Sequence, residues 1–284
     1  MDRIGVIGCG LMGSGIAEVC ARAGLEVLVV ERDEAALEKG RRRILASLDK
    51  ASAAGKISAD DTARATSKFR FSTRFDDLAN LSFVIEAVGE DEAIKLDVFR
   101  RLDEMVTDPA AIFASNTSSI PIATLASVTS RPHNVVGLHF FNPVPVMKLV
   151  EVTASLLTSA DTVEAARHFA SERLSKTPIS SPDRAGFVVN ALLIPYLLSA
   201  IRMVESGVAT PEDIDTGMVL GCAHPMGPLA LTDLIGLDTT AAVAESLYAE
   251  LREPHLAPPP LLSRMVAAGR LGRKSGQGFY AYAK

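Results

Sequence analysis

The chain has 284 residues, 48% of them hydrophobic and 22% charged, which supplies a sizeable core and excludes wholesale disorder. Lys and Arg total 29 against 34 Asp and Glu, and the resulting net charge of −5 argues against a general nucleic-acid binder. Three scattered cysteines, Cys9, Cys20 and Cys222, fit neither a disulfide framework nor a zinc cluster, and suit a reducing cytosol.

In chain order, residues 3–8 read as a buried strand, 11–23 as the helix after it, and 26–30, rich in β-branched residues, as a second strand. Further strands are expected at 83–88, 111–115, 134–139 and 149–153, with helical stretches such as 91–105 between some of them. This alternation implies βαβ units and a mostly parallel sheet with helices on both faces. After a turn-like junction, Ser181-Pro182-Asp183-Arg184, the pattern changes. A long apolar helix is expected at 187–205, kinked at Pro195, then helices at 211–220, 228–235, 239–251 and 261–268. The one strand expected here is the aromatic tail Phe279-Tyr280-Ala281-Tyr282. The expected organisation is therefore an α/β domain over 1–183 and an all-helical domain over 184–284.

Neither a membrane span nor an export signal is expected from this pattern. The longest apolar stretch, 187–201, is interrupted by Asn190, Pro195 and Ser199 and falls short of the roughly 20 residues a span needs. Residues 4–16 are apolar, but Asp2 stands where a signal peptide carries cations, and five glycines between Gly5 and Gly15 make a poor signal helix. The expectation is a soluble, untargeted, cytoplasmic protein.

Gly8-Cys9-Gly10-Leu11-Met12-Gly13 is a GxGxxG between the first strand and its helix. Gly8 permits the tight turn, Gly10 lets backbone approach a pyrophosphate, and Gly13 allows close helix–strand packing, with the helix N-terminus facing the phosphates. The second strand ends at Glu31, 23 residues after Gly8, where an acid can accept both ribose hydroxyls of NAD and repel a 2′-phosphate. Arg32 follows and could answer such a phosphate, so the expectation is NAD with NADP left open. The first domain is accordingly Rossmann-like.

Two polar segments follow strands: Ser115-Asn116-Thr117-Ser118-Ser119 and His139-Phe140-Phe141-Asn142-Pro143. In an open α/β sheet, ligands bind outside the carboxyl ends of the strands, where both segments are expected. Glu151 lies 12 residues after His139, beyond a Pro143-Val144-Pro145 turn, so a chain reversal would set its carboxylate beside the imidazole. It would then fix the tautomer and stabilise the imidazolium formed when His139 takes a proton. Ser115, Thr117 and Ser119 read better as turn and cap residues, and Cys9 as a small buried one.

These stretches resemble the 3-hydroxyacyl-CoA dehydrogenase family, including its 3-hydroxybutyryl-CoA dehydrogenases. The resemblance continues through Ile85-Glu86-Ala87-Val88-Gly89-Glu90, Lys148-Leu149-Val150-Glu151, Gly186-Phe187-Val188-Val189-Asn190, His224-Pro225-Met226-Gly227-Pro228 and Lys274-Ser275-Gly276-Gln277-Gly278-Phe279-Tyr280. It implies reversible, NAD-dependent oxidation of a short-chain L-3-hydroxyacyl-CoA to the 3-ketoacyl-CoA, without a metal. On the matching positions, His139 would be the general base and Glu151 its partner. Ser118, Asn142 and Asn190 would line the reacting pocket, while Glu90, Lys95, Lys274 and also Ser118 and Asn142 would contact the cofactor. Glu31 stands where many relatives carry Asp.

Between Lys39 and Lys56 lie six basic residues and one acid, a local positive patch suited to an anionic ligand. The resemblance puts part of a CoA site here, with Lys50 and Lys56 as candidates, although each reads equally well as part of a solvated helix face. The resemblance also implies a homodimer through the helical domain. Two alternatives stay open on the same scaffold: a dehydrogenase of a CoA-free hydroxy acid or sugar acid, and a noncatalytic, crystallin-like NAD-binding protein.

Overall fold

The computed structural model describes residues 2–283. They divide into two compact units that meet in sequence at Arg184 and Ala185.

The first unit is built on eight strands: β1 (Arg3–Ile7), β2 (Glu26–Val30), β3 (Phe69–Ser72), β4 (Phe83–Glu86), β5 (Ile112–Ser115), β6 (Val135–Phe140), β7 (Leu149–Ala154) and β8 (Thr177–Pro182). Their order in the sheet is β3-β2-β1-β4-β5-β6-β7-β8. All neighbours pair in parallel except β6 and β7, which form an antiparallel pair. The order reverses between β1 and β4, and such a switch point opens a crevice at the carboxyl ends of the strands.

Alternate strand residues feed two cores, as a period of two requires. Ile4, Val6, Val27, Val29, Phe83 and Ile85 pack on one face with α1 (Leu11–Arg22), α2 (Glu34–Ala53), α3 (Ala59–Ser67) and α6 (Ala160–His168). Ile7, Leu28, Val30 and Val84 pack on the other with α4 (Glu92–Met105) and α5 (Ile122–Ala126). Burial on both faces explains why these strands read as continuous apolar runs.

The second unit is helical: α7 (Val189–Glu205), α8 (Pro211–Cys222), α9 (Pro228–Ile235), α10 (Leu237–Leu251) and α11 (Pro260–Ala267). Ile194, Leu197, Leu198, Ile201, Leu229, Leu237, Leu247 and Leu262 form its core. α7 runs through Pro195 as one helix, although proline removes the donor that the Ala191 carbonyl would otherwise use.

Three features differ from the sequence reading. β3 and β8 escape it, the first being four residues long and the second carrying Pro178 and Pro182. The junction expected at 181–184 therefore begins inside a strand. The aromatic tail is not a strand either: among the described residues only the bridges Gly272–Gln277 and Gln277–Ala281 form there. Buried Asp233 holds the tail instead, accepting from Phe279 N and Tyr280 N at 2.9 Å and from the Tyr282 hydroxyl at 3.0 Å.

Candidate active site

The glycine loop joins β1 to α1. Gly8 has φ +87°, and a Cβ there would lie 2.7 Å from the Ala87 carbonyl oxygen. A Cβ on Gly13 would run into the Gly8 carbonyl, while one on Gly10 would meet open space. Gly10 caps α1 without a side-chain acceptor, and the first turn, Leu11, Met12 and Gly13, contains no acid. Its N–H groups therefore point outward without an intrahelical partner, beside an open backbone cradle that fits a pyrophosphate.

Glu31 follows β2 and faces this loop. Its Oε1 accepts from Cys9 N at 2.6 Å, and its Oε2 accepts from Arg32 N at 3.0 Å. The Cys9 side chain is core: a Cβ on Gly40 of α2 would touch its sulfur, and burial, reinforced by Glu31, pushes the thiol up to about 12. The Cys9 carbonyl accepts from Arg43 at 3.0 Å, which ties α2 to the loop.

The ends of β4 and β5 carry a second polar cluster. Glu86 is fully buried; its Oε1 accepts from Lys95 Nζ at 2.6 Å and Val88 N at 2.7 Å, and its Oε2 from Ser115 Oγ at 2.6 Å. Lys95, also buried, lies 3.4 Å from Glu90. Glu90 in turn accepts from Thr117 Oγ1 at 2.6 Å, Ser118 N at 2.9 Å, Ser119 N at 3.1 Å and Ser119 Oγ at 2.9 Å. Burial alone would raise the Glu90 carboxyl, but Lys95 and these donors outweigh it and hold the group below the usual carboxylate range.

Across the antiparallel pair, His139 and Glu151 are register partners, so their side chains leave the same face of the sheet. His139 Nδ1 lies 2.6 Å from Glu151 Oε2, with the carboxylate fully buried and the imidazole nearly so. Phe141 packs 4.7 Å from the imidazole, centroid to centroid. Asn116 Oδ1 accepts from Phe140 N at 2.9 Å and so braces the end of β6 against the loop after β5. The connection from β6 to β7 carries exposed Asn142 and is held by Lys176, whose Nζ donates to the carbonyls of Val144 and Met147 at 2.6 Å. Asn142, Pro143 and Val144 border a cavity of about 110 Å³ with Leu11, Arg43 and Ser47.

The first unit thus gathers Gly8, Gly10 and Gly13 with Glu31, Lys95 and Ser118 with Glu90, and His139 with Glu151. Lys50 and Lys56 are exposed, in the last turn of α2 and just beyond it, with no ion pair among the described residues. In the second unit, Asn190 is the second residue of α7, so it lies in the first turn of the helix rather than in its middle. Lys274 pairs with Asp238 at 2.5 Å. Sequence reasoning gave no role to Glu86, Asn116, Arg43 or Lys176. Their partners Ser115, Phe140, Cys9 and the carbonyls of Val144 and Met147 lie 29, 24, 34 and about 30 residues away in the chain, and no local spacing announces such contacts.

No helix among the described residues is long and apolar enough to cross a membrane, and no group of three His, Cys, Asp or Glu among them could hold a metal ion.

Two family models match the chain. Residues 3–184 match the NAD-binding domain of 3-hydroxyacyl-CoA dehydrogenase, and residues 186–282 match its C-terminal domain. The chain is 55% identical over 282 residues to a 3-hydroxybutyryl-CoA dehydrogenase of Mycobacterium tuberculosis, covering 99% of each chain. The crystal structure of M. tuberculosis FadB2 superposes with a TM-score of 0.99 at 55% identity, covering 100% of this chain and 99% of the other. That of (S)-3-hydroxybutyryl-CoA dehydrogenase from Ralstonia eutropha superposes with a TM-score of 0.94 at 46% identity, covering all of both. With the cradle, the acid at the end of β2 and both domain models in agreement, the chain belongs to the 3-hydroxyacyl-CoA dehydrogenase family and is an NAD-dependent dehydrogenase.

Proposed function

We propose that this dehydrogenase oxidises a short-chain L-3-hydroxyacyl-CoA, such as 3-hydroxybutyryl-CoA, to the 3-ketoacyl-CoA and also runs in reverse, with His139 as the general base. The observation that carries the mechanism is the 2.6 Å contact between His139 Nδ1 and buried Glu151. A relative that shares 55% identity and is named a 3-hydroxybutyryl-CoA dehydrogenase supports the substrate class.

Glu151 accepts the Nδ1 hydrogen bond, which leaves Nε2 as the nitrogen that exchanges a proton with substrate. Taking the hydroxyl proton turns the imidazole into an imidazolium facing a desolvated carboxylate, where opposite charges attract most strongly. The C3–H bond breaks with its electron pair as the C3–O bond becomes a carbonyl. When bound, NAD supplies the electrophilic ring carbon that accepts this hydride. In reverse, His139 returns its proton to the carbonyl oxygen.

Gly8, Cys9, Gly10, Leu11, Met12 and Gly13 would hold the pyrophosphate through backbone, and Glu31 the ribose. Glu90, Lys95, Ser118, Asn142 and Lys274 complete the cofactor contacts. Ser118, Asn142 and Asn190 would bind the substrate's oxygen region, and Lys50 and Lys56 the CoA phosphates. The chain works as a cytoplasmic homodimer formed through its second unit.

The test is NADH consumption with acetoacetyl-CoA, run beside free acetoacetate and beside NADPH. Rapid turnover is expected with the CoA ester and NADH, and little with either replacement. Equal rates on free acetoacetate would overturn the CoA assignment.

A further inference from the structure

Glu86 is a buried carboxylate at the switch point of the sheet, and the mechanism above gives it no task. It ends β4, pairs in register with Ile7 of β1 on one side and Ser115 of β5 on the other, and has no solvent exposure. Ile7 leads directly into Gly8, and Ala87 N donates to the Ile7 carbonyl at 2.8 Å, so Glu86 lies at the root of the cofactor crevice. A charge here is expensive, because a buried ion pair is often no better for stability than a packed apolar pair.

The connections of Glu86 all lead to one loop. Ser115 Oγ donates to Glu86 and accepts from Thr117 N at 3.2 Å. Asn116 N donates to the Glu86 carbonyl at 2.9 Å. Lys95 bridges Glu86 to Glu90, which receives Thr117, Ser118 and Ser119. Ile120 N closes the turn on Thr117 Oγ1 at 2.9 Å. Every backbone N–H from Asn116 to Ile120 is therefore held by Glu86, Glu90 or a hydroxyl that one of them orients. Two carboxylates, coupled through one buried ammonium, clamp the loop that carries Ser118.

We propose that Glu86 is a positioning residue for cofactor and substrate: through Ser115 and through Lys95–Glu90 it sets the 115–120 loop, and with it Ser118, at the crevice. The role given to Ser118 rests on the proposed function; the clamp itself does not.

Glu86→Gln tests it, because the amide keeps the length and can still meet Val88 N and Ser115 while removing the charge opposite Lys95. NADH affinity is read by fluorescence titration, which reports on folded protein alone, and kcat and KM are read with acetoacetyl-CoA at saturating NADH. About tenfold weaker NADH binding and about a tenfold lower kcat are expected, with KM for acetoacetyl-CoA within twofold of wild type. An NADH Kd and a kcat per folded molecule both within twofold of wild type would overturn the proposal, whatever happens to the melting temperature.

Ser115→Ala cuts the other arm while leaving the Glu86–Lys95 pair in place, and keeps the question open to test if Glu86→Gln does not fold. It should weaken NADH binding severalfold, and an unchanged Kd would overturn the proposal. Where both variants fold, their combined loss should be smaller than the product of the separate losses, because they act on one loop. Fully multiplicative losses would count against the clamp. If wild type binds NADH but leaves acetoacetyl-CoA untouched, the substrate assignment fails while the NADH titrations still judge the clamp.

Discussion

Glutamine at position 139 has a reach similar to that of histidine but cannot take up a proton near neutral pH. His139→Gln should therefore lower kcat by a factor of about 10² to 10⁴, the usual contribution of a positioned general base. NADH affinity, measured by fluorescence titration, should stay within twofold, since the imidazole bonds Glu151 and packs on Phe141, both outside the glycine loop. Near-normal turnover would remove His139 from the mechanism. Glu151→Gln keeps an acceptor for Nδ1 but faces the imidazolium with a neutral group, so kcat should fall about a hundredfold with the NADH Kd again unchanged. The three thiols give a separate check of residue environments. Burial drives the Cys9 and Cys20 thiols well above their ordinary range, whereas Cys222 is exposed. Alkylation by iodoacetamide at pH 8, mapped by mass spectrometry, should mark Cys222 well before the other two. Of the residue contacts, His139–Glu151 was legible because strand periodicity and one short reversal fix the facing pair. Glu86 was not, because an acid ending an apolar strand looks like a solvated terminus until Ser115 and Lys95 are brought beside it.

At the scale of elements, caps supplied from far along the chain decide whether short helices form. α5 has five residues, too few to be stable alone, and Pro121 at its N-cap offers no side-chain acceptor. Asp183 supplies one from about 60 residues away, accepting from Ile122 N at 2.6 Å and Ala123 N at 2.8 Å. Asp183→Ala leaves two part-buried donors unpaired and should cost about 1–3 kcal/mol, read as a lower urea midpoint at constant slope. The Glu90 loop makes a prediction about pH. Its carboxyl is held below the ordinary value of 4.5, so its contribution to stability is complete above that value and is lost as pH falls through the lowered one. Loop order, followed by hydrogen exchange at Ser118 and Ser119, should persist to pH 5 and weaken below about 4.5. Loss already at pH 6 would contradict the donor set described for Glu90. The sequence showed clearly the elements with long apolar periods, such as α1, α4 and α10. It hid β3 and β8, whose strand character comes from the sheet edge they complete. It misled at 279–282, where aromatic alternation imitates a strand while Asp233, with Asp215 on the Tyr280 hydroxyl, fixes the tail.

For the molecule as a whole, the two units solve the problem of burial differently. In the first, a central sheet buries apolar surface on both of its faces, and α1–α6 cover it. The second is built of helices, and part of its apolar surface stays exposed. Leu192, Ser199 and Met203 of α7 are all exposed, and with half-buried Tyr196 they follow the 3–4 residue spacing of a single helix face. Leu192 is 74% exposed, and Leu220 of α8 is 80% exposed. A stable pairing of subunits buries roughly 800 Å² per partner, and an apolar face on a unit of about 100 residues can provide it. A twofold dimer would cover the same stripe on both copies at once. Light scattering after gel filtration should accordingly return twice the 30.1 kDa of one chain. Leu192→Glu should shift the population toward the single-chain mass, because a twofold interface would bury two introduced charges against apolar surface, one from each copy. NADH binding should survive that change, since Leu192 is not among the proposed cofactor contacts, all of which but Lys274 belong to the first unit. A wild-type chain running at 30.1 kDa would mean that the exposed stripe serves some other contact and would remove the dimer from the proposed function.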